Sequence, residues 1–262
     1  MDRTNWKFGR LDINILLLGI AYKGIAFPLL WKLLRKAGNS NTAERIALME
    51  LFLALFPAEK VAALLADREF IGKEWLAYLR PQGIHFRIRV KDNTRIPNLN
   101  GLHLNAWRYF GDLAVGESRI LPRRRHLWGS SLYVVGMRLE SDEFLIVLTS
   151  DSPECALKDY ARRWEIETLF ACLKTRGFRF EDTHLTDPER VSKMVALLAI
   201  AIVWAHQTGE WLHEQRPILL KTLQRRVKSL FRYGFDHPRH VILNLSDQWR
   251  AFEHTLRSFV LY

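Results

Sequence analysis

Cysteine is scarce in this sequence, and so is any regular arrangement of metal-binding side chains. The 262 residues include two cysteines, Cys155 and Cys172, and no Cys-x-x-Cys pair, which excludes a four-ligand zinc site built from cysteine alone. The nine histidines show no His-Glu-x-x-His or similar ligand spacing. So few cysteines favour a reducing compartment over a disulfide-bonded secreted fold.

Long apolar runs, targeting signals and repeats are lacking too. Residues 194–205 form an uncharged apolar run, but twelve residues are too short to cross a bilayer. No apolar signal region follows a basic start at the N-terminus. There is no internal repeat, low-complexity stretch or Ser/Gly-rich linker. We therefore expect a soluble, cytoplasmic protein with no membrane partner.

Acidic residues are outnumbered by basic ones. Lys+Arg total 39 and Asp+Glu total 28, which gives a formal net charge of +11 and a pI of about 9.9. This balance favours a polyanionic partner such as DNA. The basic residues are dispersed and do not line one amphipathic helix, so a membrane surface is a weaker explanation. With 48% hydrophobic residues and nine Trp, the chain is a folded protein and not a basic tail.

The segment 160–174 predicts one helix with two different faces. At about 100° per residue, one polar stripe roughly 60° wide is formed by Tyr160, Arg163, Glu167 and Lys174. A separate apolar stripe suited to a core is formed by Ile166, Leu169, Phe170 and Leu173. A carboxylate can bind a metal ion, while Arg, Lys and Tyr can bind phosphate. The polar stripe suggests phosphodiester chemistry, although mixed charges on a helix are most often a solvated surface.

The order and spacing of these polar residues favour the phosphodiester interpretation over a solvated surface. The pattern Y-x2-R-x3-E-x6-K, together with Arg-Trp-Glu-Ile-Glu and Leu-Phe-x-x-Leu-Lys around it, resembles the signature of bacterial insertion-sequence transposases of family four, in the DDE superfamily. The similarity continues through residues 177–185. It implies an enzyme that cleaves DNA at element ends and transfers the strand to target DNA. Two Mg²⁺ ions would be the cofactors, with Mn²⁺ as a substitute.

The resemblance implies a DDE triad of Asp2, Asp67 and Glu167, which would be both the catalytic residues and the metal ligands. Asp67 ends an apolar run, and acids at the carboxyl end of a strand gather at α/β active sites, although such an Asp is also often a turn or helix cap. Asp2 matches the family's first-acid segment, whereas its rival Asp12 does not. Glu165, the rival of Glu167, points away from the polar stripe.

The resemblance also implies contacts with double-stranded DNA. Tyr160, Arg163 and Lys174 would contact phosphates near the cut, with Arg68 and Arg162 as adjacent cations. Arg offers a bidentate fork, Lys a point charge and Tyr a hydroxyl donor. The partners would be element ends and target DNA, a homodimer would form in the DNA complex, and the protein would be nucleoid-associated.

A second basic region lies further from the signature. The run Arg123-Arg124-Arg125-His126, followed by Trp128, suits a surface that holds DNA and stacks on a base. A charged surface loop explains the same residues, and the sequence leaves both interpretations open.

The predicted fold class is α/β, with an RNase H-like core in which a mixed sheet is flanked by helices. We expect the first part of the core at 1–91, a β-rich insertion at 92–143, the second part at 144–215 and a helical C-terminal part at 216–262. Almost nothing precedes Asp2, where related transposases carry an N-terminal DNA-binding region. Two alternatives remain: an RNase H-like nuclease that shares the three acids but lacks strand transfer, and, suggested by the missing N-terminal part, a truncated, catalytically silent DNA-binding remnant.

Individual elements follow from local patterns. Strands are predicted at 13–22, 24–31, 61–67, 85–91 and 144–150. Helices are predicted at 41–56, 72–79, 187–212, 219–231 and 246–259. Thr42 is the expected N-cap of the first helix, and Asp187 with Pro188 should begin the third.

Overall fold

A computed structural model describes residues 1–8, 10–222 and 226–260. The chain divides into two compact units, which we describe separately. The first unit comprises Met1–Lys7, Asp12–Gly19 and Leu30–Trp164. The second comprises Phe8–Leu11, Ile20–Leu29 and Glu165–Tyr262.

The chain begins with three consecutive strands that form one sheet in the order β1-β2-β3. These strands are β1 (Asp2–Phe8), β2 (Leu11–Tyr22) and β3 (Ile25–Leu34). The run 13–18 within β2 is buried throughout, and every residue in it except Asn14 is apolar. Gly24 has a φ of +95° at the turn between β2 and β3, a left-handed conformation that glycine adopts without steric cost.

A six-stranded mixed sheet forms the centre of the first unit. Its path is β4-β5-β11-β10-β8, and β9 pairs with β10. Five of its strands are β4 (Leu64–Ala66), β5 (Phe86–Val90), β8 (Ser118–Ile120), β9 (Arg125–Leu127) and β10 (Ser130–Arg138), and the sixth is β11 (Phe144–Thr149). β4 runs parallel to β5, whereas β5, β10 and β11 pair antiparallel.

Three helices accompany this sheet: α1 (Thr42–Leu55), α2 (Lys73–Leu79) and α3 (Ala156–Ala161). Helix α3 packs against β4, β5, β10 and β11, and α2 packs against α1 and β10. The apolar face of α2 is fully buried at Trp75, Leu76 and Leu79. The predicted fold class is confirmed, because the chain has a mixed sheet flanked by helices.

Residues 92–143 are rich in short strands. Besides β8, β9 and β10, this segment contains β6 (Arg95–Pro97) and β7 (His103–Asn105), which form a separate two-stranded sheet. β8 and β10 are hydrogen-bonded into the six-stranded sheet. The side of β10 that carries Gly136 lies so close to Phe110 that a Cβ there would stand 2.5 Å from the ring.

Helix α1 begins one residue earlier than the predicted cap implies. Asn41, not Thr42, is the N-cap: Asn41 Oδ1 accepts from the Glu44 backbone N–H at 2.8 Å, and Glu44 Oε2 accepts from the Asn41 N–H at 2.7 Å. This reciprocal pair is a capping box. The Thr42 prediction was wrong because Asn41 has a Glu three residues later, whereas Thr42 is followed at that spacing by Arg45.

The capping box gives a direct stability prediction. Asn41→Ala removes both the acceptor for Glu44 N–H and the box geometry, so it should lower the free energy of unfolding by about 1 kcal/mol. Thr42→Ala, at the next residue, should change the free energy of unfolding by only a few tenths of that amount. Urea denaturation of both variants measures the difference, and an equal loss in both would contradict the cap assignment.

The second unit is mainly helical. It contains α4 (Trp164–Leu173), which begins at the last residue of the first unit, and α5 (Pro188–Gln215), α6 (Leu230–Leu243) and α7 (Trp249–Val260). The predicted start of α5 is confirmed: Asp187 is the N-cap and accepts from the Arg190 N–H at 2.9 Å. By length and composition α5 would suffice to cross a membrane, a test that the core helix of a soluble protein also passes.

The helix predicted at 219–231 was wrong. Leu220 and Arg226 form an isolated antiparallel bridge, and the Val227 N–H donates to the Leu219 carbonyl at 2.9 Å. Residues 223–225 of this prediction lie outside the described residues. Leu219 and Leu220 are exposed, so the apolar pattern there does not mark a buried helical face. The helix begins instead at Leu230, after the N-cap Ser229.

Helices α5 and α6 approach each other closely at two glycines. A Cβ at Gly234 of α6 would overlap the Ala205 carbonyl oxygen of α5. A Cβ at Gly209 of α5 would overlap the Leu230 carbonyl oxygen of α6. The backbones are therefore in direct contact, and only glycine fits at either position.

Candidate active site

Asp2 and Asp67 come together in the first unit. Asp2 is the first residue of β1, and Asp67 directly follows β4. The backbone nitrogen of Met1 donates to the Leu65 carbonyl at 2.8 Å, which sets the start of β1 beside β4. The structure thus brings two of the three predicted acids to neighbouring strand ends.

The charge of Asp67 acts on the Asp2 carboxyl group. Burial raises the pKa of the Asp2 carboxyl above its ordinary value, and the negative charge of Asp67 raises it further. The Arg3 backbone N–H and the Arg163 guanidinium act in the opposite direction. Two carboxylates at one place repel each other, so the site favours a proton or a cation between them.

Tyr160 and Arg163 of the signature each contact one of these acids. The Tyr160 hydroxyl donates to Asp67 Oδ1 at 3.3 Å. Arg163 Nη1 donates to Asp2 Oδ2 at 2.9 Å, and its guanidinium lies 5.7 Å from the centre of the Tyr160 ring. Burial raises the pKa of the Tyr160 hydroxyl, which keeps it protonated as a donor. Both side chains are buried, 5% and 8% exposed.

The signature segment is not one helix, so the single polar stripe predicted for it was wrong. Helix α3 ends at Ala161 and α4 begins at Trp164. At the break, the Arg162 N–H donates to the Asp159 carbonyl at 3.0 Å and the Arg163 N–H to the Tyr160 carbonyl at 2.9 Å. These three-residue spacings tighten the last turn of α3. The angular argument across the whole segment therefore fails at Arg162.

Glu167 and Lys174 belong to the second unit. Glu167 is half-buried in the first turn of α4, where the helix dipole favours a negative charge. Lys174 follows the end of α4, and its Nζ lies 3.3 Å from Glu181 Oε1. The predicted apolar face of this helix is confirmed, since its four residues are all buried: Ile166, Leu169, Phe170 and Leu173.

Arg68 and Arg162 are both exposed. Each is adjacent in sequence to a site residue, Arg68 to Asp67 and Arg162 to Arg163. The first unit therefore presents two solvent-facing cations next in sequence to this site, whose two aspartates are half-buried. In the second basic region, Arg123, Arg124 and His126 are exposed.

Two members of that basic region do not fit a purely exposed DNA surface. Trp128 is half-buried and packs against the main core of the first unit, so its predicted role as a stacking platform competes with a packing role. Arg125 is 5% exposed and buried in the fold. Alternation along β9 explains this, because the strand turns Arg125 and Leu127 inward and His126 outward.

Sequence reasoning missed a polar network that joins the segments carrying the two acids. Arg3 Nη1 donates to Asn14 Oδ1 at 3.2 Å, and Arg3 Nη2 lies 3.4 Å from Glu69 Oε2. Asn14 Nδ2 in turn donates to the Gly38 carbonyl at 2.9 Å. Arg3 follows Asp2 and Glu69 lies two residues after Asp67, so the network links both acid-bearing segments. The available signal was Asn14, a polar residue inside the apolar run of β2.

Arg87 was also missed. It is 3% exposed, and its Nη1 donates to Thr149 Oγ1 at 2.8 Å and to Asp151 Oδ1 at 2.6 Å. Its Nε lies 3.3 Å from Asp159 Oδ2, although the two do not align as a hydrogen bond. Asp159 immediately precedes Tyr160, so Arg87 ties α3 to β5 and to the end of β11. This contact stabilises the position from which Tyr160 reaches Asp67.

Removing Arg163 should shift the pH dependence of any reaction that needs ionised Asp2. Arg163 lowers the pKa of Asp2, so Arg163→Met should raise that pKa and move the acid limb of the rate–pH profile to higher pH. Arg163→Lys keeps the charge and should shift the limb less. As a control, Arg138→Met breaks an ion pair with Asp142 and should leave the limb in place. A profile unchanged in Arg163→Met would contradict the pairing.

The chemistry of these groups fits a divalent metal. Among the residues that the structure describes, no group of three His, Cys, Asp or Glu side chains converges on one point, so the site offers the Asp2–Asp67 pair. Mg²⁺ prefers hard oxygen ligands and is often held by one or two carboxylates, with water and substrate phosphates completing its shell. Burial and the nearby charge of Asp67 raise the pKa of Asp2, and a cation bound beside it would favour its ionised form.

A family model described as "Transposase DDE domain" matches residues 3–204. No curated protein matches the chain. Among solved structures, the chain is similar to the piggyBac transposase in its synaptic complex with hairpin DNA, at 12% identity and a TM-score of 0.43. That match covers 88% of this chain and 47% of the other, so the chain spans about half the length of that transposase.

Proposed function

Because the chain belongs to the transposase DDE domain family, we propose that it cleaves DNA at the ends of a bacterial insertion sequence and joins those ends to target DNA. Family four is the group that its signature fits. The RNase H-like core expected for such an enzyme agrees with the mixed sheet and flanking helices of the first unit. We also propose that the first part of the core ends at residue 91, the β-rich insertion at residue 143 and the second part of the core at residue 215.

The convergence of Asp2 and Asp67 is the observation that carries the proposal. These residues are 65 positions apart in sequence, yet the charge of Asp67, after burial, helps to raise the pKa of Asp2. Each is contacted by a residue of the same signature segment, Asp67 by Tyr160 and Asp2 by Arg163. A surface of solvated charges gives no reason for this matched pairing of two buried donors with two acids.

The residues that would hold the metal are Asp2 and Asp67, with Glu167 as the third acid. Two Mg²⁺ ions, or Mn²⁺ in their place, would supply activation of the attacking oxygen and stabilisation of the leaving oxygen. Arg163 and Tyr160 would orient the two aspartates by donating one hydrogen bond to each. The same two donors can pass to a phosphate when DNA binds, because Arg and Tyr bind phosphate and carboxylate oxygens alike.

The reaction would proceed in two displacements at phosphorus. A water oxygen would bond to the phosphorus at the element end and release a proton, while the bond from phosphorus to the 3′ oxygen breaks and that oxygen takes up a proton to leave as a 3′-OH. The oxygen of this 3′-OH would then lose its proton, bond to a target phosphorus and displace a second 3′ oxygen, which is protonated in turn. Lys174, Arg68 and Arg162 would contact the DNA backbone near the cut, where positive charge favours the polyanion.

Several features of the setting are part of the same proposal. The partners are double-stranded element ends and target DNA, and a homodimer would form on a pair of ends. The protein would be cytoplasmic and nucleoid-associated, with no membrane partner. The high pI supports the DNA partner through counterion release.

A strand-joining assay with pre-cut ends tests the proposal. Protein, terminal-repeat oligonucleotides with a free 3′-OH, and supercoiled plasmid are combined with Mg²⁺ or Mn²⁺, and joined products are quantified. The proposal expects metal-dependent joining. Cleavage without joining would indicate the nuclease alternative, and metal-independent binding without either reaction would indicate a silent DNA-binding remnant.

A further inference from the structure

One buried arginine differs from the others in its partners. Where the structure describes the chain, three of four buried arginines have carboxylates close by: Arg45, Arg87 and Arg163. The fourth, Arg125, is 5% exposed and forms no ion pair with any described carboxylate. A buried charge without a counter-charge is costly, so its surroundings are expected to serve an anion.

The contacts of Arg125 fix the orientation of its guanidinium group but do not neutralise its positive charge. Its Nη1 donates to the Pro122 carbonyl at 2.7 Å and to the Arg123 carbonyl at 3.3 Å. Its Nε is buried and has no hydrogen-bond partner among the described residues. Two carbonyl dipoles hold the guanidinium in one position, and part of its donor capacity remains unused.

Arg125 lines an open pocket of about 460 Å³ in the first unit. Arg119 lines it too, but that guanidinium is occupied by Asp112 through hydrogen bonds of 2.8 and 2.7 Å. Asn98 uses its side-chain oxygen to accept from the Leu102 N–H at 2.9 Å, so its NH2 is the hydrogen-bonding group left for a ligand. Leu99 and Leu121 add apolar wall.

We propose that this pocket binds a phosphate group attached to a nucleoside. Arg is the side chain best matched to phosphate oxygens, and here it lacks a competing carboxylate. The volume falls in the range of small-molecule sites and exceeds what phosphate alone requires, and the apolar wall suits a sugar or base. The phosphate could belong to a DNA strand or to a free nucleotide, because both offer the same chemistry. Binding of a DNA strand rests on the proposed function, whereas binding of a free nucleotide does not.

Direct binding measurements test the pocket. Deoxyadenosine monophosphate, inorganic phosphate and a short single-stranded oligonucleotide are titrated into the full chain by calorimetry without metal. Arg125→Gln should weaken the binding of the monophosphate by at least about tenfold. If DNA is the source, the same variant should also reduce the slope of log affinity against log salt for the oligonucleotide by about one. If the source is a free nucleotide, the slope should stay as in the wild type.

Arg124→Gln is the matched control. It removes the same charge from the neighbouring residue, which is exposed and lies over the Tyr133 ring at 4.5 Å, and should leave monophosphate binding unchanged. Unchanged monophosphate affinity in Arg125→Gln, or no binding of any probe to the wild type, would overturn the proposal. Because no cleavage is measured, this failure is separable from failure of the proposed function.

A measurement on the wild type covers the case in which Arg125→Gln does not fold. Amide hydrogen exchange with and without saturating monophosphate should show protection at 98–102 and 121–125. Protection elsewhere, with none in these two segments, would contradict the pocket assignment.

Discussion

Asp67→Asn should reduce metal-dependent DNA cleavage by on the order of a thousandfold. The substitution keeps the side-chain size and an oxygen that can accept from Tyr160, whose hydroxyl now lies 3.3 Å from Asp67 Oδ1. It removes the negative charge that, together with Asp2, would hold a divalent cation. The cleavage rate on terminal-repeat DNA measures the effect, and circular dichroism checks that the fold is retained.

Asp12→Asn is the matched control for that prediction. Asp12 is an acid of the first unit whose carboxylate lies 3.7 Å from the exposed Lys7 ammonium. It does not match the signature, so its substitution should leave the rate within about twofold, as expected for a weak surface ion pair. Comparable losses in both variants would mean that general charge, and not the Asp2–Asp67 pair, governs activity.

Gly234→Ala should lower the free energy of unfolding of the second unit by about 3 kcal/mol or more. The added methyl would overlap the Ala205 carbonyl oxygen, which is backbone and can move only if α5 and α6 separate. Lost helix packing outweighs the improved helix propensity of Ala, worth roughly 1 kcal/mol. Thermal denaturation followed by circular dichroism at helical wavelengths measures the change.

Gly111→Ala provides the comparison for Gly234→Ala. A Cβ at Gly111 would meet its nearest neighbour, the Trp107 carbonyl oxygen, at 3.6 Å, which is ordinary van der Waals contact. Its effect should be small and of either sign. A Gly234→Ala protein as stable as Gly111→Ala would show that the close approach of α5 and α6 is wrong.

Local patterns predicted the acid-bearing segments well. The apolar run before Asp67 indicated a strand, and β4 ends one residue before that acid. The apolar face of α4 was predicted from spacing alone, because a helix with a 3.6-residue period must bury one side. These predictions succeed where the determining forces act within a few residues of sequence.

The break between α3 and α4 was not predictable in the same way. Every residue from 160 to 174 is compatible with a helix, and no Gly or Pro marks an end. The residues on either side of the break have different partners far away in sequence: Tyr160 contacts Asp67, and Arg163 contacts Asp2. Tertiary contacts of this kind override local propensity, and periodicity within the segment contains no information about them.

The wrong helix prediction at 219–231 has a different cause. Apolar residues between 219 and 231 suggested a helix, yet the helix occupies Leu230–Leu243 and contains Pro238. Proline inside a helix removes a hydrogen bond and disfavours the prediction. Packing of Gly234 against α5 stabilises α6 in spite of it, and this contact is invisible in the local pattern.

The central claim is that Glu167 completes a DDE triad with Asp2 and Asp67. The most direct test compares wild type, Glu167→Gln and Glu165→Gln in Mg²⁺- and Mn²⁺-dependent cleavage and strand transfer on terminal-repeat DNA. Gln keeps the size and hydrogen bonding of Glu and removes its charge. We predict activity in the wild type and in Glu165→Gln, and none in Glu167→Gln, with DNA binding equal in all three. Equal activity in the wild type and Glu167→Gln would contradict the claim.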